Sequence, residues 1–306
     1  MNNFFKSWPS LEAYAKLHSS KRFPGLFYYD YCPPGGNGKP TLILIHGLGD
    51  EADTWRHVFP LFGRAGYRII APDLPCFGRS SVPLRSSIGF QRDAVLELAD
   101  TVLENSEKGF VLIGSSMGAA VAEAAILAEG TKKVNRTKAL VLLDGCFPVE
   151  SAGSSKLLLA AIPFVGKKWY RSFRNDPEKA WQSLFSYYAD IQSLNEEDKE
   201  FLRKRVMDRV CSPSQEHAYF SSLRNMIFQS MRASYYRQIG SWPGKIALIW
   251  GEKDAIMPKA VAESFIKLRG NNVTEFSIIS GSGHLPHQEK PEETAEVILK
   301  FLGSVF

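Results

Sequence analysis

Residues 110–128 read FVLIGSSMGAAVAEAAILA, and this stretch decides how the rest of the chain is arranged. A short apolar run, 110–113, is followed by GSSMG (114–118) and then by an alanine-rich segment with helical spacing. Ser116, unlike Ser115, has one glycine two residues before it and another two residues after it. Flanking glycines let a strand turn sharply into a helix, because no Cβ obstructs the neighbouring backbone. The stretch therefore predicts a strained turn that exposes the hydroxyl of Ser116 above a sheet.

Further apolar runs of the same kind occur along the chain, each bounded by Gly, Pro or Asp. They are TLILIHG (41–47), RIIAPDL (68–74), ALVLLDG (139–145), KIALIWG (245–251) and TEFSIIS (274–280). Most are apolar on both alternating faces, which is typical of parallel strands covered by helices on both sides. Helical patterns separate these runs, at 54–65, 87–105, 117–129, 258–269 and 291–302. The alternation predicts an α/β fold with a doubly wound, mostly parallel sheet. GLFYYDYC (25–32) is predicted as an antiparallel edge strand.

The alternation of strands and helices is interrupted once, between Cys146 and about residue 243. Helical stretches such as EEDKEFLRKRVMDRV replace the strands there, and Ser193 with Glu196 three residues later has the spacing of a capping box. We therefore predict an α/β core formed by residues 1–146 and 241–306. Residues 147–240 are predicted to form an inserted helical cap above the carboxyl edge of the sheet.

The predicted cap is rich in large apolar side chains. Most are expected to pack the cap's own small core, and some to line an apolar pocket facing Ser116. The candidates are Leu157–Leu159, Ile162, Phe164, Trp169, Tyr170, Trp181, Phe185, Tyr187, Tyr188 and Tyr219.

A serine hydroxyl is a weak nucleophile and needs a base within hydrogen-bond reach. GSGH (281–284) follows the last predicted strand, where a loop can bring His284 to the serine. GEKD (251–254) follows the preceding strand and supplies Asp254, a carboxylate that can fix the tautomer of the imidazole. We predict Ser116 as nucleophile, His284 as base and Asp254 as the acid that orients the base.

Five segments, in this order, resemble the motifs of the α/β-hydrolase superfamily: LILIHGLGD, APDLPCFGRS, GSSMGAA, WGEKDAIMP and GSGHLPHQEKPEE. They are similar to its His-Gly oxyanion loop, its D-x-P-x-x-G-x-S loop, its nucleophile elbow, and its acid and histidine loops. The resemblance extends from about residue 40 to the C-terminus, with the cap excepted. It implies an oxyanion hole made by the backbone N–H groups of Leu48 and Met117. It also leaves Asp144, which ends the run 139–145, as an alternative acid.

Other candidate residues receive structural interpretations. His46 is expected to hold its loop by hydrogen bonds and not to serve as a second base. His287 is predicted to be a loop residue, and His57 a residue on a helix surface. Cys76 stands where the superfamily usually has glycine, and Cys146 follows a strand; each is interpreted as a small buried thiol without a catalytic role.

Composition limits the remaining classes of function. The 306 residues carry 37 basic and 32 acidic side chains. Acidic residues interleave with the basic clusters, which is typical of solvated helix faces. The charge pattern therefore disfavours binding to nucleic acid or to anionic membranes. No run approaches the roughly 18 apolar residues of a membrane span, and the N-terminus lacks the pattern of a signal peptide. The four cysteines show no metal-ligand spacing. We expect a cytoplasmic protein with free thiols, no metal and no cofactor.

The resemblance and the predicted triad together indicate a serine hydrolase. The serine predicts a mechanism through an acyl-enzyme. The leading hypothesis for the substrate is a small to medium, uncharged, apolar carboxylic ester. A carbon–carbon hydrolase of the meta-cleavage-product type is an alternative. Members of that class have a sequence similar to GNSMGG at the nucleophile elbow and carry Trp after the catalytic histidine, whereas this chain has GSSMGA and Leu285. A receptor or scaffold without catalytic activity is the remaining alternative.

Overall fold

The protein is represented by a computed structural model that describes residues 6–34, 38–81, 86–103, 108–129, 136–145, 163–230, 238–239, 242–269 and 273–306. Its strands are β1 (Ala15–Ser19), β2 (Pro24–Tyr31), β3 (Thr41–Ile45), β4 (Ile69–Pro72), β5 (Phe110–Ser115), β6 (Thr137–Leu143), β7 (Lys245–Gly251) and β8 (Val273–Ile279). Its α-helices are α1 (Phe59–Arg64), α2 (Ile88–Val102), α3 (Met117–Glu129), α4 (Pro163–Ser172), α5 (Pro177–Gln182), α6 (Glu196–Cys211), α7 (Pro213–Ser230), α8 (Lys259–Arg269), α9 (Pro286–Glu289) and α10 (Pro291–Val305).

The strands form one sheet in the order β1-β2-β4-β3-β5-β6-β7-β8. The pairs β1–β2 and β2–β4 are antiparallel, and every other pair is parallel. The predicted α/β fold with a mostly parallel sheet is therefore confirmed. The order reverses between β4, β3 and β5, and in open α/β sheets such a reversal opens a crevice at the carboxyl ends of the strands.

Helices cover both faces of the sheet, as the apolar runs predicted. Along β5, Phe110 and Leu112 pack into one buried cluster, which includes side chains of α2 and α3. Val111 and Ile113 point the opposite way and join a second cluster with α1 and α10. Alternation along a strand sends neighbours to opposite faces, so a strand buried on both sides has to be apolar throughout.

The antiparallel side of the sheet differs from the prediction. The segment predicted at 25–32 is an antiparallel strand, β2, but it is not an edge strand, because β1 pairs with its outer side. The sequence AKLHS of β1 is short and largely exposed, so it carries no apolar alternation that would have revealed it.

The predicted helix at 54–65 is also divided. A 3-10 turn covers Ala52–Trp55, and α1 begins at Phe59. Pro60 lies in the first turn of α1, where it lacks the N–H that a continuous helix would need, which favours a new helix start at this point.

The helices α4 to α7, residues 163–230, lie between β6 and β7 and are called the inserted helices below. Both predicted cap boundaries, 146/147 and 240/241, lie outside the described residues, as do Leu157–Leu159, Ile162 and Cys146.

The predicted capping box is wrong, because the N-cap residue of helix α6 is Asn195, whose side chain accepts the N–H of Asp198 at 2.8 Å. None of the helices in the described ranges is long and apolar enough to span a membrane.

Buried ion pairs fasten the inserted helices to the core. Asp198, in the first turn of α6, accepts the Nε–H of Arg56 at 2.7 Å, and both side chains are almost completely buried. Further along α6, Arg205 and Arg209 pair with Glu51 at 2.8 and 3.0 Å. Removing one partner of a buried pair leaves an uncompensated charge, so such pairs oppose separation of the two parts.

We expect Asp198→Ala to lower the free energy of unfolding by about 3 kcal/mol or more, because the guanidinium of Arg56 would stay buried without its carboxylate. Glu197→Ala is the matched control, since Glu197 is the preceding carboxylate of the same helical turn and is exposed. That change should stay within about 0.5 kcal/mol. Urea unfolding measures both, and equal losses in the two variants would contradict the assignment.

Candidate active site

Ser116 stands at the turn between β5 and α3. Its backbone is left-handed, with φ +53°, a conformation that is unfavourable for a residue with a side chain. The turn is held because the N–H of Ser116 donates to the carbonyl of Leu143 at 2.9 Å, and the carbonyl of Ser116 accepts from Ala119 at 3.1 Å. Ser116 is partly exposed and lines a cavity, whereas Ser115 is buried.

The two glycines of the motif allow a close approach of backbone segments. A Cβ on Gly114 would lie 2.4 Å from the carbonyl oxygen of Gly118, and a Cβ on Gly118 would lie 2.1 Å from that of Ile45. Both separations are far shorter than van der Waals contact, so only glycine fits at either position. The start of α3 is thereby packed directly against the end of β3.

His284 and Asp254 meet at the same edge of the sheet. His284 Nδ1 lies 2.8 Å from Asp254 Oδ2, and both side chains are buried. The other oxygen of Asp254 accepts the N–H groups of Ile256 and Met257, at 2.8 and 2.9 Å. A carboxylate with these acceptor bonds stays ionised, so Nδ1 is the protonated nitrogen and Nε2 carries the lone pair. No described residue bonds Nε2, and His284 lines the cavity that Ser116 also lines.

Asp144, the alternative acid, lies beside this pair. One ligand atom from each of Asp144, Asp254 and His284 falls within 4.8 Å of the others. Asp144 is fully buried, and its Oδ1 accepts the N–H of Gly251 at 2.8 Å. Burial and the adjacent charge of Asp254 raise the pKa of Asp144 well above its usual value. His284 and Asp254 are hydrogen-bonded to each other, and both aspartates accept backbone N–H groups.

The two amides predicted for an oxyanion hole flank the serine. Met117 directly follows Ser116 as the first residue of α3. On the other side, a Cβ on Gly47 would lie 3.3 Å from the Cβ of Ser116, so the loop that carries Leu48 runs against the serine. Met117 and the loop that carries Leu48 therefore both lie next to Ser116.

His46 holds this loop, as predicted. Its Nε2 accepts the N–H of Leu74 at 2.9 Å, and Nδ1 therefore donates to the carbonyl of Gly47 at 2.8 Å. Complete burial lowers the pKa of His46, which keeps the imidazole neutral and suited to these two bonds. The structural interpretation of His46 is confirmed.

The interpretations of the two other histidines are wrong. His287 is buried in the short helix α9, where Nε2 bonds the hydroxyl of Thr54 at 2.9 Å. His57 is half-buried and bonds Asp198 of α6 at 2.9 Å. Sequence reasoning missed both because the partners lie over a hundred residues away.

Cys76 keeps the conformation that glycine would adopt at its position. Its φ is +85°, and its N–H donates to the carbonyl of Ser81 at 3.0 Å. Burial raises the pKa of the Cys76 thiol to about 11, so the sulfur stays protonated and unreactive at neutral pH. The prediction of a buried thiol at residue 76 is confirmed.

The inserted helices complete a cavity of about 560 Å³ above Ser116. Of the candidate apolar residues, those that line it are Trp169, Tyr170, Tyr187, Tyr188 and Tyr219. Trp181 instead packs with Ile191 and Leu202 in the small core of the insertion, and Phe164 is exposed. Arg209 also lines the cavity, but its charge is paired with Asp50 at 2.9 Å and Glu51 at 3.0 Å. No sequence pattern marked Arg209.

Glu289 joins the histidine loop to the insertion, which the sequence also did not reveal. Its carboxylate accepts the N–H of Gly283 at 2.6 Å and that of Ala189 at 2.8 Å. Next to these bonds, the N–H of His284 donates to the carbonyl of Tyr187 at 2.8 Å. The position of His284 therefore depends on the inserted segment as well as on the sheet.

Known proteins resemble this chain in sequence and in fold. Residues 42–297 match the model of the Alpha/beta hydrolase family. The chain is 27% identical over 281 residues to the uncharacterized hydrolase YugF of Bacillus subtilis, covering 90% of this chain and 94% of that protein. It is 27% identical to a 2-hydroxy-6-oxononadienedioate/2-hydroxy-6-oxononatrienedioate hydrolase of Paraburkholderia phymatum, covering 88% of each. A thermophilic esterase of Thermogutta terrifontis superposes with a TM-score of 0.69 at 20% identity, covering 95% of this chain and 97% of the esterase.

We expect Gly118→Ala to lower the free energy of unfolding by about 3 kcal/mol, because the added methyl group collides with the backbone at Ile45. Gly89→Ala is the matched control: Gly89 lies in α2, and the nearest atom to an added Cβ is 3.8 Å away. That variant should be as stable as the wild type or up to about 1 kcal/mol more stable, because alanine favours helices. Thermal or urea unfolding checks both, and a stable Gly118→Ala protein would contradict the close packing.

We expect His287 to make stability sensitive to acid. Burial lowers the pKa of His287 to about 3, whereas an unfolded histidine titrates near 6.5. The unfolded state therefore binds a proton below about pH 6.5 that the folded state does not, and stability falls as the pH decreases. Between about pH 7.5 and 5 this group should cost the wild type about 2 kcal/mol, a loss that His287→Gln should not show. Urea unfolding at both pH values measures it, with the exposed His217→Gln as control; identical pH dependence in wild type and His287→Gln would refute the effect.

Proposed function

This chain belongs to the alpha/beta hydrolase family, and we propose that it is a serine hydrolase that cleaves small to medium apolar carboxylic esters. Ser116 is the nucleophile, His284 the base and Asp254 the acid. The observation that carries the proposal is the 2.8 Å bond between His284 and Asp254, with His284 and the left-handed Ser116 lining one cavity.

The reaction follows from the protonation of His284. Because Nδ1–H donates to Asp254, Nε2 accepts the proton of Ser116 as Oγ attacks the carbonyl carbon of the ester. The resulting oxyanion accepts hydrogen bonds from the N–H groups of Leu48 and Met117, each contributing roughly 3 kcal/mol. His284 then protonates the leaving alcohol, and an acyl group remains on Ser116. A water molecule, deprotonated by His284, attacks the acyl carbon, and His284 then returns the proton to Ser116 Oγ as the acid is released.

The preference for uncharged, apolar substrates rests on the cavity. Its volume of about 560 Å³ lies within the range of small-molecule sites, and aromatic side chains form much of its wall. Among the lining residues that the structure describes, the one guanidinium is that of Arg209, and Asp50 and Glu51 already neutralise it. Recruiting it for an anionic substrate would require breaking buried ion pairs, which is unfavourable.

We also propose that residues 147–240 act as a cap domain that sets substrate choice. The support is that α4, α6 and α7 contribute cavity-lining residues, among them Trp169, Val206 and Tyr219. The bonds of Glu289 and Asp198 hold the part of the cap nearest His284 against the core.

Carbon–carbon bond hydrolysis is the second candidate. The relative from Paraburkholderia phymatum carries a name of that class, and it matches this chain over most of its length. This chain has Ser115 and Leu285 where members of that class are expected to carry Asn and Trp. Ester hydrolysis is therefore the preferred proposal. A noncatalytic receptor or scaffold is disfavoured, since all three proposed triad residues are present, His284 is hydrogen-bonded to Asp254, and Ser116 lines the same cavity as His284.

We expect Ser116→Ala to abolish hydrolysis of p-nitrophenyl acetate, butyrate and octanoate while the thermal unfolding midpoint stays unchanged. Removing a triad nucleophile typically lowers the rate by about 10⁶-fold. Ser115→Ala is the matched control: its buried Oγ has no hydrogen-bond partner among the described residues, so activity should persist. Full activity in Ser116→Ala would exclude the mechanism. Turnover of a meta-cleavage-type dienoate, without ester turnover, would favour the second candidate.

A further inference from the structure

The mechanism described above makes no use of Asp144, although its carboxyl group is buried and one of its oxygens lies within 4.8 Å of one oxygen of Asp254 and one ring nitrogen of His284. Oδ1 accepts the N–H of Gly251. Oδ2 accepts no hydrogen bond from a donor group of the described residues. Two carboxyl groups this close, in a buried site, do not both carry a negative charge. One of them therefore holds a proton.

Hydrogen-bond donors decide which carboxyl group is ionised. Asp254 accepts three, from His284 Nδ1 and from the amides of Ile256 and Met257. Asp144 accepts one, from Gly251. Each donor stabilises the charged form of a carboxylate, so the negative charge lies on Asp254 and the proton on Asp144.

We propose that Asp144 is a neutral carboxylic acid that donates a hydrogen bond from Oδ2 to the Asp254 carboxylate. This inference rests on the proposed triad, in which Asp254 orients His284. Asp144 then acts as a positioning residue: it restrains Asp254 without adding a second negative charge.

The backbone holds Asp144 in place for this role. Its φ is +44°, a left-handed conformation that aspartate and asparagine tolerate better than most residues. Its N–H donates to the carbonyl of Ile249 at 3.0 Å, while its side chain accepts from Gly251. Bonds to both residues fix the carboxyl group at the end of β7, from which the loop to Asp254 departs.

A neutral Asp144 has a consequence for His284. The ionisable groups that act on Asp144 are Asp254 and Glu289, and His284 lies beside it. If Asp144 were ionised as well, a second negative charge would stabilise the imidazolium form of His284 and shift its titration to higher pH. A neutral Asp144 adds no second negative charge beside His284.

The test compares two variants of the full chain. Asp144→Asn keeps an uncharged donor toward Asp254 and an acceptor for Gly251, so it reproduces the neutral acid. Asp144→Gly removes the carboxyl group and accepts the left-handed backbone without strain. The first readout is the NMR titration of His284 in histidine-labelled protein, assigned with His284→Gln. The second is kcat/KM for p-nitrophenyl butyrate against pH, with thermal midpoints confirming folding.

The proposal predicts that Asp144→Asn leaves the midpoint of the His284 titration within about 0.3 pH unit of the wild type. It also predicts kcat/KM within about threefold of the wild type for Asp144→Asn and a loss of about tenfold or more for Asp144→Gly, since a hydrogen bond to a charged group is removed.

A fall of the His284 titration midpoint by about one pH unit or more in Asp144→Asn would show that Asp144 is ionised and overturn the proposal. Equal kcat/KM in both variants would overturn the positioning role. If the wild type hydrolysed no ester, the proposed function would fail, and the titration would still decide the charge of Asp144.

Discussion

The turn between β5 and α3 brings three backbone segments closer together than any side chain would allow. Gly114 packs against the first turn of α3, and Gly118 packs against the end of β3. The left-handed conformation of Ser116 follows from this geometry, as does the approach of the Gly47 loop to its side chain. A strained serine persists only when its surroundings over-determine it, and here the bond to Leu143 and the packing of two glycines do so.

Hydrogen bonds of buried polar groups hold the loops around this turn. His46 ties the loop next to Ser116 to Leu74, and Asp254 fixes His284 at the end of the neighbouring strands. Glu289 then connects the histidine loop to the inserted segment at Ala189. Because each of these groups is desolvated, each requires its partner. Together these bonds restrain the loops around Ser116.

The features predictable from sequence are those that local chemistry determines. The runs 110–113, 139–143 and 246–250 are apolar throughout, which only strands buried on both faces require, and they form the central strands. The hydrogen bond between Asp254 and His284 joins two residues that were selected from their positions after strands. What remained hidden depends on contacts between distant segments: β1 exists because β2 offers it an edge, and His287 is neutral because Thr54 and Trp55 bury it. The wall of the cavity belongs to the same class, since Arg209 carries no local signal.

The central claim is that Ser116 is an activated nucleophile, and covalent labelling tests it most directly. A fluorophosphonate reacts only with a serine whose hydroxyl is activated by a base, and tandem mass spectrometry locates the adduct within the GSSMG peptide. Native protein should gain a single adduct on Ser116, and heat-denatured protein should gain none. No adduct on the native protein, or an adduct on Ser115 in place of Ser116, would contradict the account.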